Sequence, residues 1–185
     1  TVTAVADKKS RAMIRRAAQS GKVIVAGCMA QKQARELLQI EGVGAVIGTD
    51  ERAAIVSVAE RLLSGEEGID ATHGLEGCGF EAMDTGPPKA RTRGIVKIQE
   101  GCNNFCSYCI IPYVRGRSRS RSIDDIVREA ELLAAGGVKE LVLTGIHIAS
   151  YSDGGNKLGD VIARLDKTGV RIRLGSIEPG VLGEE

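Results

Sequence analysis

The first third of the chain alternates between helix-like and strand-like apolar patterns. Apolar positions recur at helical spacing in residues 4–20, 31–38 and 51–63. Two short β-branched runs, at 22–26 (KVIVA) and 44–47 (GAVI), lie between these segments and are typical of buried strands. The order α-β-α-β-α therefore predicts a parallel sheet with helices on its faces.

A second alternation begins near residue 94. Strand-like runs occupy 95–98 (IVKI), 141–144 (LVLT) and 171–174 (RIRL), and helical patterns occupy 123–135 and 158–165. Three strands joined by two crossover helices predict the opening half of a β/α barrel, in which the loops after the strands carry the chemistry. The expected fold class of the whole chain is α/β.

Periodicity is lost between these two stretches, where glycine and proline are frequent. We therefore predict a truncated N-terminal α/β domain at 1–65, a linker at 66–93, and the first half of a partial barrel at 94–185. The patterns are already under way at the first residue and stop just after a strand-like run. We expect a fragment of a longer chain, with at least one more strand before Thr1.

Composition adds few constraints. The chain has 185 residues, of which 43% are hydrophobic and 26% charged, as in ordinary globular proteins. No apolar run approaches the roughly 18 residues of a membrane span, so we expect no membrane association and a cytoplasmic location. The net charge of +1 hides two basic stretches, at 1–20 and 89–121. These can form an anion-binding face, or two separate solvated surfaces.

Three of the five cysteines, Cys102, Cys106 and Cys109, follow a predicted strand with the spacing C-x3-C-x2-C. Disulfides would strain so short a segment, so metal ligation in a reducing compartment is the better interpretation. A structural zinc site would want a fourth ligand from a second Cys or His pair, which the neighbouring sequence does not supply. A [4Fe–4S] cluster normally takes four thiolates. Three thiolates would leave one iron open to an added ligand.

This loop, with Tyr108 before the third cysteine, resembles the signature of radical S-adenosylmethionine (SAM) enzymes. The resemblance implies that the open iron is chelated by the amino and carboxylate groups of SAM. It also implies that an electron from the cluster breaks the S–C5′ bond of SAM and gives a 5′-deoxyadenosyl radical. By the same resemblance we expect Tyr108, Gly145, Ser176 and Glu178 to contact the cofactor.

The surrounding sequence is similar to the methylthiotransferases, which insert sulfur and then a methyl group at an unactivated C–H bond. The similar strings are KIQEGCNNFCSYCIIPYVRGRSRSR at 97–121, GCMAQ at 27–31, LTGIH at 143–147 and GSIEP at 175–179. They look most like the branch that acts on threonylcarbamoyladenosine-37 of tRNA. The branches that act on isopentenyladenosine-37 of tRNA or on an aspartate of a ribosomal protein stay open as alternatives.

The family holds an auxiliary [4Fe–4S] cluster on three N-terminal cysteines. Cys28, in the GCMAQ string, matches the third of these, and the other two would lie before Thr1. Without the resemblance, a single cysteine after a strand would be interpreted as inert packing. Cys78 matches no ligand of the family, and we interpret it as incidental.

Four arginines, Arg115, Arg117, Arg119 and Arg121, alternate with glycine and serine. In an extended segment this spacing points all four guanidinium groups to one side, where they could neutralise phosphates of tRNA. A solvated loop, or packing against acidic helix ends, is the alternative. We expect RNA contact for one or two of the four.

The predicted function is SAM-dependent methylthiolation of C2 of N6-threonylcarbamoyladenosine at tRNA position 37. One SAM would supply the methyl group and a second the radical. The implied partners are tRNA, a flavodoxin- or ferredoxin-like electron donor, and a sulfur donor that the sequence does not identify. A rival of a different class is a nucleic-acid-binding module with a structural zinc, which would use the arginine segment as its contact.

Overall fold

The computed structural model of the chain describes residues 3–81 and 92–178. These residues form two compact units. The first contains 3–81 together with 105–116, and the second contains 92–104 together with 117–178. Each unit has its own sheet and its own hydrophobic core. The segment 105–116, which the sequence boundaries assign to the barrel, thus belongs to the first compact unit.

The first unit is a three-stranded parallel sheet flanked by helices. In chain order its elements are α1 (Ala4–Ala18), β1 (Val23–Ala26), α2 (Cys28–Leu38), β2 (Val43–Ile47), a 3₁₀ turn (Arg52–Ala54), α3 (Ile55–Leu63), β3 (Ile69–Ala71) and α4 (Ile111–Arg115). The strand order is β1-β2-β3, and both pairings are parallel. The predicted parallel sheet with flanking helices is confirmed.

The central strand β2 explains how this sheet is stabilised. All five of its residues are buried, because helices cover both faces of the sheet. On one face Val46 packs with residues of α1 and α2, including Ile14 and Leu37. On the other face Ala45 and Ile47 pack with residues of α3 and β3. The continuous apolar run at this position follows from burial on both sides.

Strand β3 lies within the segment 66–93, which the sequence analysis predicts to be a linker, and adds its first part to the sheet of the first unit. Ile69–Ala71 pairs in parallel with β2, and Ile69 is buried in the core under α3. Three residues are too few to show an alternating pattern, so the strand depends on its pairing partner. The glycine- and proline-containing part of the predicted linker at 82–91 lies outside the described residues.

The second unit also contains parallel strands that are connected by helices. Its elements are β4 (Arg93–Lys97), β5 (Gln99–Glu100), β6 (Arg119–Ser120), α5 (Ile123–Ala135), β7 (Glu140–Thr144), a 3₁₀ turn (Ile148–Ser150), α6 (Leu158–Asp166) and β8 (Arg171–Leu174). Strands β4, β7 and β8 form a parallel sheet in that order, and β5 and β6 form a separate antiparallel pair. Three strands with two crossover helices confirm the predicted half barrel.

The core of the second unit lies between this sheet and its crossover helices. Ile126 and Leu133 of α5 pack with Leu141 and Leu143 of β7, and Leu165 of α6 completes the layer. Within residues 3–81 and 92–178, every helix is too short or too polar to cross a lipid bilayer. The parallel arrangement brings the carboxyl ends of β4, β7 and β8 to one edge of the sheet.

Candidate functional site

The carboxyl edge of the second unit's sheet gathers several candidate residues. The chain leaves β4 toward Cys102, leaves β7 at Gly145, and leaves β8 toward Ser176 and Glu178. These strands are parallel neighbours, so their carboxyl ends open at a common edge. This placement confirms that the candidates follow strand ends.

Gln99, which the sequence analysis did not single out, organises this edge. Its side chain is fully buried. The amide oxygen accepts hydrogen bonds from the backbone N–H groups of Ile146 at 3.0 Å and His147 at 2.8 Å. The amide nitrogen lies 2.8 Å from the carbonyl oxygens of both Glu100 and Gly101. One side chain therefore ties the start of the cysteine loop to the turn after β7.

Ser118 is the third neighbour of the Gln99 amide nitrogen, with its Oγ 3.0 Å away. Its own backbone N–H donates to Asn103 Oδ1 at 3.0 Å, so it also holds the residue that follows Cys102. The sequence distinguishes Gln99 only as a polar residue that directly follows a predicted buried strand. Such a residue must find partners when buried, which is what the structure shows.

Gly145 is required by close packing at the turn after β7. A Cβ atom at this position would lie 2.9 Å from the carbonyl oxygen of Gln99 and 2.9 Å from Cγ2 of Ile148. No side chain fits without moving the backbone of the neighbouring strand end. This contact accounts for the glycine, and the expected contact of Gly145 with SAM stays a prediction.

The loops after β7 and β8 approach each other at His147 and Glu178. Nε2 of His147 lies 3.3 Å from Oε2 of Glu178, and the Glu178 side chain is 60% exposed. Ser176 is also exposed. Both candidate cofactor residues are thus open at the carboxyl edge. Their predicted contacts with SAM are not tested by these distances.

The cysteine loop is divided between the two units. Cys102, in the second unit, is partly exposed, and the backbone N–H of Asn104 donates to its sulfur at 3.5 Å. Cys106 is exposed and Cys109 partly exposed, and both lie in the first unit. The N–H of Cys109 donates to the carbonyl oxygen of Cys106 at 2.9 Å, which closes a turn between them.

The donor set of this loop fits the implied iron–sulfur cluster. All three cysteines are free thiols, and the loop that carries them is irregular backbone rather than a packed helix or strand. Thiolates are the ligands that iron–sulfur clusters prefer, and three of them leave one iron for another ligand. Tyr108 is 91% exposed. Its predicted contact with the cofactor therefore remains a prediction.

Cys28, the candidate auxiliary ligand, lies at the N-terminus of α2 in the first unit. Its side chain is buried, and Nε of Arg115 donates a hydrogen bond to its sulfur at 3.0 Å. The guanidinium group of Arg115 therefore contacts the sulfur of the candidate ligand directly. The role of Cys28 as a cluster ligand stays a prediction. Gly27, with φ 105°, makes the turn from β1 into the helix.

Helix α4 is held in the first unit by a second polar contact. Oγ1 of Thr49, a buried residue in the loop after β2, donates to the carbonyl oxygen of Val114 at 2.7 Å. Val114 is itself buried. These contacts fix the backbone immediately before Arg115, and so fix the guanidinium group beside Cys28.

The four arginines do not lie in one extended segment, and the expected RNA contact of one or two of them stays a prediction. Arg115 ends helix α4, and Gly116 turns the chain with φ 75°. The side chain of Arg121 is 5% exposed and forms an ion pair with Glu129 of α5. Arg117 is exposed and Arg119 partly buried. The four side chains differ in their surroundings because Gly116 turns the chain after Arg115 and because Glu129 binds Arg121 inside the second unit.

The comparisons agree with this site. The radical SAM superfamily model matches residues 96–183. Threonylcarbamoyladenosine tRNA methylthiotransferase MtaB of Bacillus subtilis is 38% identical over 100% of this chain and 43% of its own length. Ribosomal protein uS12 methylthiotransferase RimO of a Synechococcus strain is 42% identical over 82% of this chain and 33% of its own length.

A third relative is tRNA-2-methylthio-N(6)-dimethylallyladenosine synthase of Thermodesulfovibrio yellowstonii. It is 36% identical over 89% of this chain and 38% of its own length. Among solved structures, the radical SAM methyltransferase TsrM of Kitasatospora setae superposes with a TM-score of 0.51, at 16% identity, over 83% of this chain and 34% of its own. That likeness shows the fold alone.

The chain spans less than half the length of these curated relatives. The relatives nevertheless share a single chemistry, and they match the chain on both sides of the cysteine loop. The cofactors of this family are SAM, a [4Fe–4S] cluster and an auxiliary [4Fe–4S] cluster. Its members are enzymes that transfer sulfur-containing groups. The chain belongs to the radical SAM methylthiotransferase family.

Proposed function

We propose that the whole protein methylthiolates C2 of N6-threonylcarbamoyladenosine at position 37 of tRNA. The observation that carries this proposal is the 38% identity to a threonylcarbamoyladenosine tRNA methylthiotransferase over the full chain. That match includes Cys28 as well as the cysteine loop, so it extends across the residues of both candidate clusters.

The two halves of the chain have different tasks in this proposal. Residues 1–65 would hold the auxiliary cluster through Cys28 and 94–185 would form the radical SAM part, with 66–93 between them. Within this division, β3 and 105–116 belong to the first compact unit. The burial of Cys28 in that unit supports a ligand that is anchored by its own domain. The parallel sheet of β4, β7 and β8 supports the assignment of the second part.

In this proposal the cysteine loop and the carboxyl edge of β4, β7 and β8 bind and orient the cofactor. Cys102, Cys106 and Cys109 would hold the [4Fe–4S] cluster. When bound, this cluster would supply the electron for reductive cleavage of SAM, and so the radical chemistry needed at an unactivated C–H bond. The backbone of the turn at Gly145 would receive the amino group of SAM, and Gln99 holds that turn by two hydrogen bonds. Pre-organised positioning of this kind is a main source of catalytic rate.

Exposed arginine is the candidate contact for the tRNA backbone. Arg117 is exposed and Arg119 partly exposed, and guanidinium groups pair well with phosphate. The Arg121 side chain is buried and is therefore the least accessible of the four to RNA. The proposed partners are therefore tRNA, a flavodoxin- or ferredoxin-like electron donor and a sulfur donor of unassigned identity. With tRNA as its substrate, the proposed location of the protein is the cytoplasm.

Methylthiolation of ribosomal protein uS12 is the second candidate function. The observation that favours it is the relative named for that activity, which is 42% identical over 158 residues. The two candidates share the chemistry of the radical and differ in the substrate. The conformation of the cysteine loop does not separate them.

Product analysis of the reconstituted full-length protein tests the proposal. The enzyme is incubated anaerobically with SAM, a chemical reductant and one of three substrates: tRNA with N6-threonylcarbamoyladenosine, tRNA with N6-dimethylallyladenosine, or protein uS12. Mass spectrometry of the nucleosides and peptides then locates the added methylthio group. We expect it only on threonylcarbamoyladenosine. Modification of uS12 alone would establish the second candidate instead.

A further inference from the structure

Three side chains that no part of the proposed reaction uses converge in the first unit. The carboxylate of Asp50, the imidazole of His73 and the thiol of Cys78 place one potential ligand atom each within 4.8 Å of one another. None of the three belongs to the cysteine loop, and none of them forms the hydrogen bond to the sulfur of Cys28. Cys78, interpreted above as incidental, is therefore part of a cluster with oxygen, nitrogen and sulfur donors.

The sheet topology explains why these residues meet. Asp50 follows β2 and His73 follows β3, and the two strands are parallel neighbours in which Ile47 lies opposite Ala71. Their carboxyl ends therefore open at the same edge of the sheet. The backbone N–H of Gly48 donates to the carbonyl oxygen of Ala71 at 3.1 Å, which extends the pairing toward both residues.

Gln31 of α2 fixes both loops. Its Nε2 donates to the carbonyl oxygen of His73 at 2.8 Å, and its Oε1 accepts from the backbone N–H of Thr49 at 3.0 Å. A Cβ atom on Gly48 would lie 2.3 Å from that oxygen, so a side chain there would displace the amide. The side chain of Gln31 therefore fixes the backbone at His73 and at Thr49, which precedes Asp50.

The segment that carries Cys78 is anchored at its far end too. Oε1 of Glu81 accepts from the backbone N–H of Ala53 at 3.0 Å, and Oε2 pairs with Nε of Arg52 at 2.6 Å. With His73 held by Gln31 and Glu81 held by Arg52, the intervening residues form a closed loop over the sheet edge. Gly77, with φ 71°, supplies a turn immediately before Cys78.

The imidazole of His73 is oriented like a metal ligand. Its Nδ1 lies 3.5 Å from Oε1 of Glu51, and its Nε2 lies 3.7 Å from Sγ of Cys78. In metal sites a carboxylate commonly orients a histidine in this way, so that the opposite ring nitrogen faces the ion. Ligand atoms of one tetrahedral zinc ion lie roughly 3–4 Å apart, as these nitrogen and sulfur atoms do.

We propose that Asp50, His73 and Cys78 bind one zinc ion, with Glu51 orienting His73. A carboxylate, an imidazole and a thiolate together suit zinc, which accepts all three ligand types. Three protein ligands leave a fourth position for water. The ion would cross-link the loops after β2 and β3 and hold residues 73–78 against the sheet. This site is distinct from the zinc-binding alternative for the cysteine loop, with which it shares no residue.

Metal analysis of the full-length protein with its iron–sulfur clusters tests the proposal. Zinc and iron per chain are measured for the wild type, Cys78→Ser, His73→Ala and the control Glu76→Gln, which changes an exposed residue of the same loop. We expect one zinc per chain in the wild type and the control, and its loss in the other two variants. Iron should be equal in all four, which shows that the variants fold and keep their clusters.

A second variant probes the orientation of His73. Glu51→Gln should retain zinc but bind it about 10–100-fold more weakly in a chelator competition, because the carboxylate only orients the ligand. Zinc that persists in Cys78→Ser, iron in place of zinc at this site, or a wild type without zinc after exposure to equimolar zinc would each overturn the proposal.

Discussion

Arg115 donates a hydrogen bond from Nε to the sulfur of Cys28, although the two residues are 87 positions apart in the sequence. Helices α2 and α4 pack together within the first unit, which brings the end of one beside the start of the other. Arg115 follows the cysteine loop in the sequence, and it therefore contacts Cys28, the candidate ligand of the auxiliary cluster. The arginine is a positioning residue for that sulfur.

Replacement of Arg115 by Gln should lower the reduction potential of the auxiliary cluster. Hydrogen bonds and positive charge near a ligand sulfur favour the reduced, more negative cluster, and this variant removes the charge. A redox titration followed by electron paramagnetic resonance measures the potential in the full-length protein. Arg35→Gln, on the exposed face of α2, is the matched control. Equal potentials in all three proteins would show that the contact is lost when the cluster binds.

Replacement of Cys28 by Ala should stop formation of the methylthio product and leave cleavage of SAM intact. Cys28 lies in the core of the first unit, and the cysteine loop has its own three thiols. Chromatography of 5′-deoxyadenosine and of the modified nucleoside measures the two steps separately. A normal yield of methylthio product would identify Cys28 as a packing residue.

Replacement of Cys106 by Ala should abolish production of 5′-deoxyadenosine, because three thiolates are the minimum set that anchors the cluster with one iron open. The same loss is expected for Cys102 and Cys109. Ser107→Ala changes an exposed residue of the same loop and should retain the activity. Continued SAM cleavage by the Cys106 variant would contradict the assignment of this loop.

Replacement of Arg117 by Gln should weaken tRNA binding and flatten its salt dependence. A guanidinium group that contacts phosphate releases counterions, so its loss should reduce the slope of log K against log salt by roughly 0.7–0.9. Binding isotherms at several salt concentrations give the slope. Lys139→Gln, an exposed change just before β7 at the opposite end of the strands, is the control. Coincident slopes for Arg117→Gln and the wild type would place the RNA contact elsewhere.

Replacement of Arg121 by Gln should instead destabilise the protein. Its guanidinium group pairs with Glu129 inside the second unit, and removal of one partner of a buried ion pair costs about 3–5 kcal/mol. Arg128→Gln breaks an exposed pair with Asp125 on the same helix and should cost less than about 1 kcal/mol. Urea denaturation of the metal-free chain, followed by circular dichroism, compares the two. Similar midpoints would show that the buried pair contributes little.

The elements with strong local patterns could be predicted from the sequence. The bounds predicted for 123–135 and 171–174 coincide with those of α5 and β8. Helix α5 has a clear apolar face, acidic residues in its first turn and glycine at its end, so local chemistry defines it. The C-x3-C-x2-C spacing is equally local. It predicted radical SAM chemistry, and the surrounding strings predicted the methylthiotransferase family.

Features that depend on distant partners could not be predicted in this way. Strand β3 has three residues and exists because β2 lies beside it. The place of α4 in the first unit depends on a hydrogen bond between Thr49 and Val114, which are 65 positions apart. The burial of Arg121 depends on Glu129 in a later helix. No local pattern carries information about such pairs.

The side chain of Gln99 adds side-chain hydrogen bonds between two parts of the second unit that are already joined by the pairing of β4 with β7. Its two N–H groups serve three acceptors, and its oxygen serves two donors in the turn after β7. Glutamate has the same shape but no donor, so it would set negative oxygen against the carbonyl groups of Glu100 and Gly101. Small displacements of reacting groups slow catalysis strongly. A change in the length or chemistry of this one side chain would consequently alter the position of the Gly145 turn relative to the start of the cysteine loop.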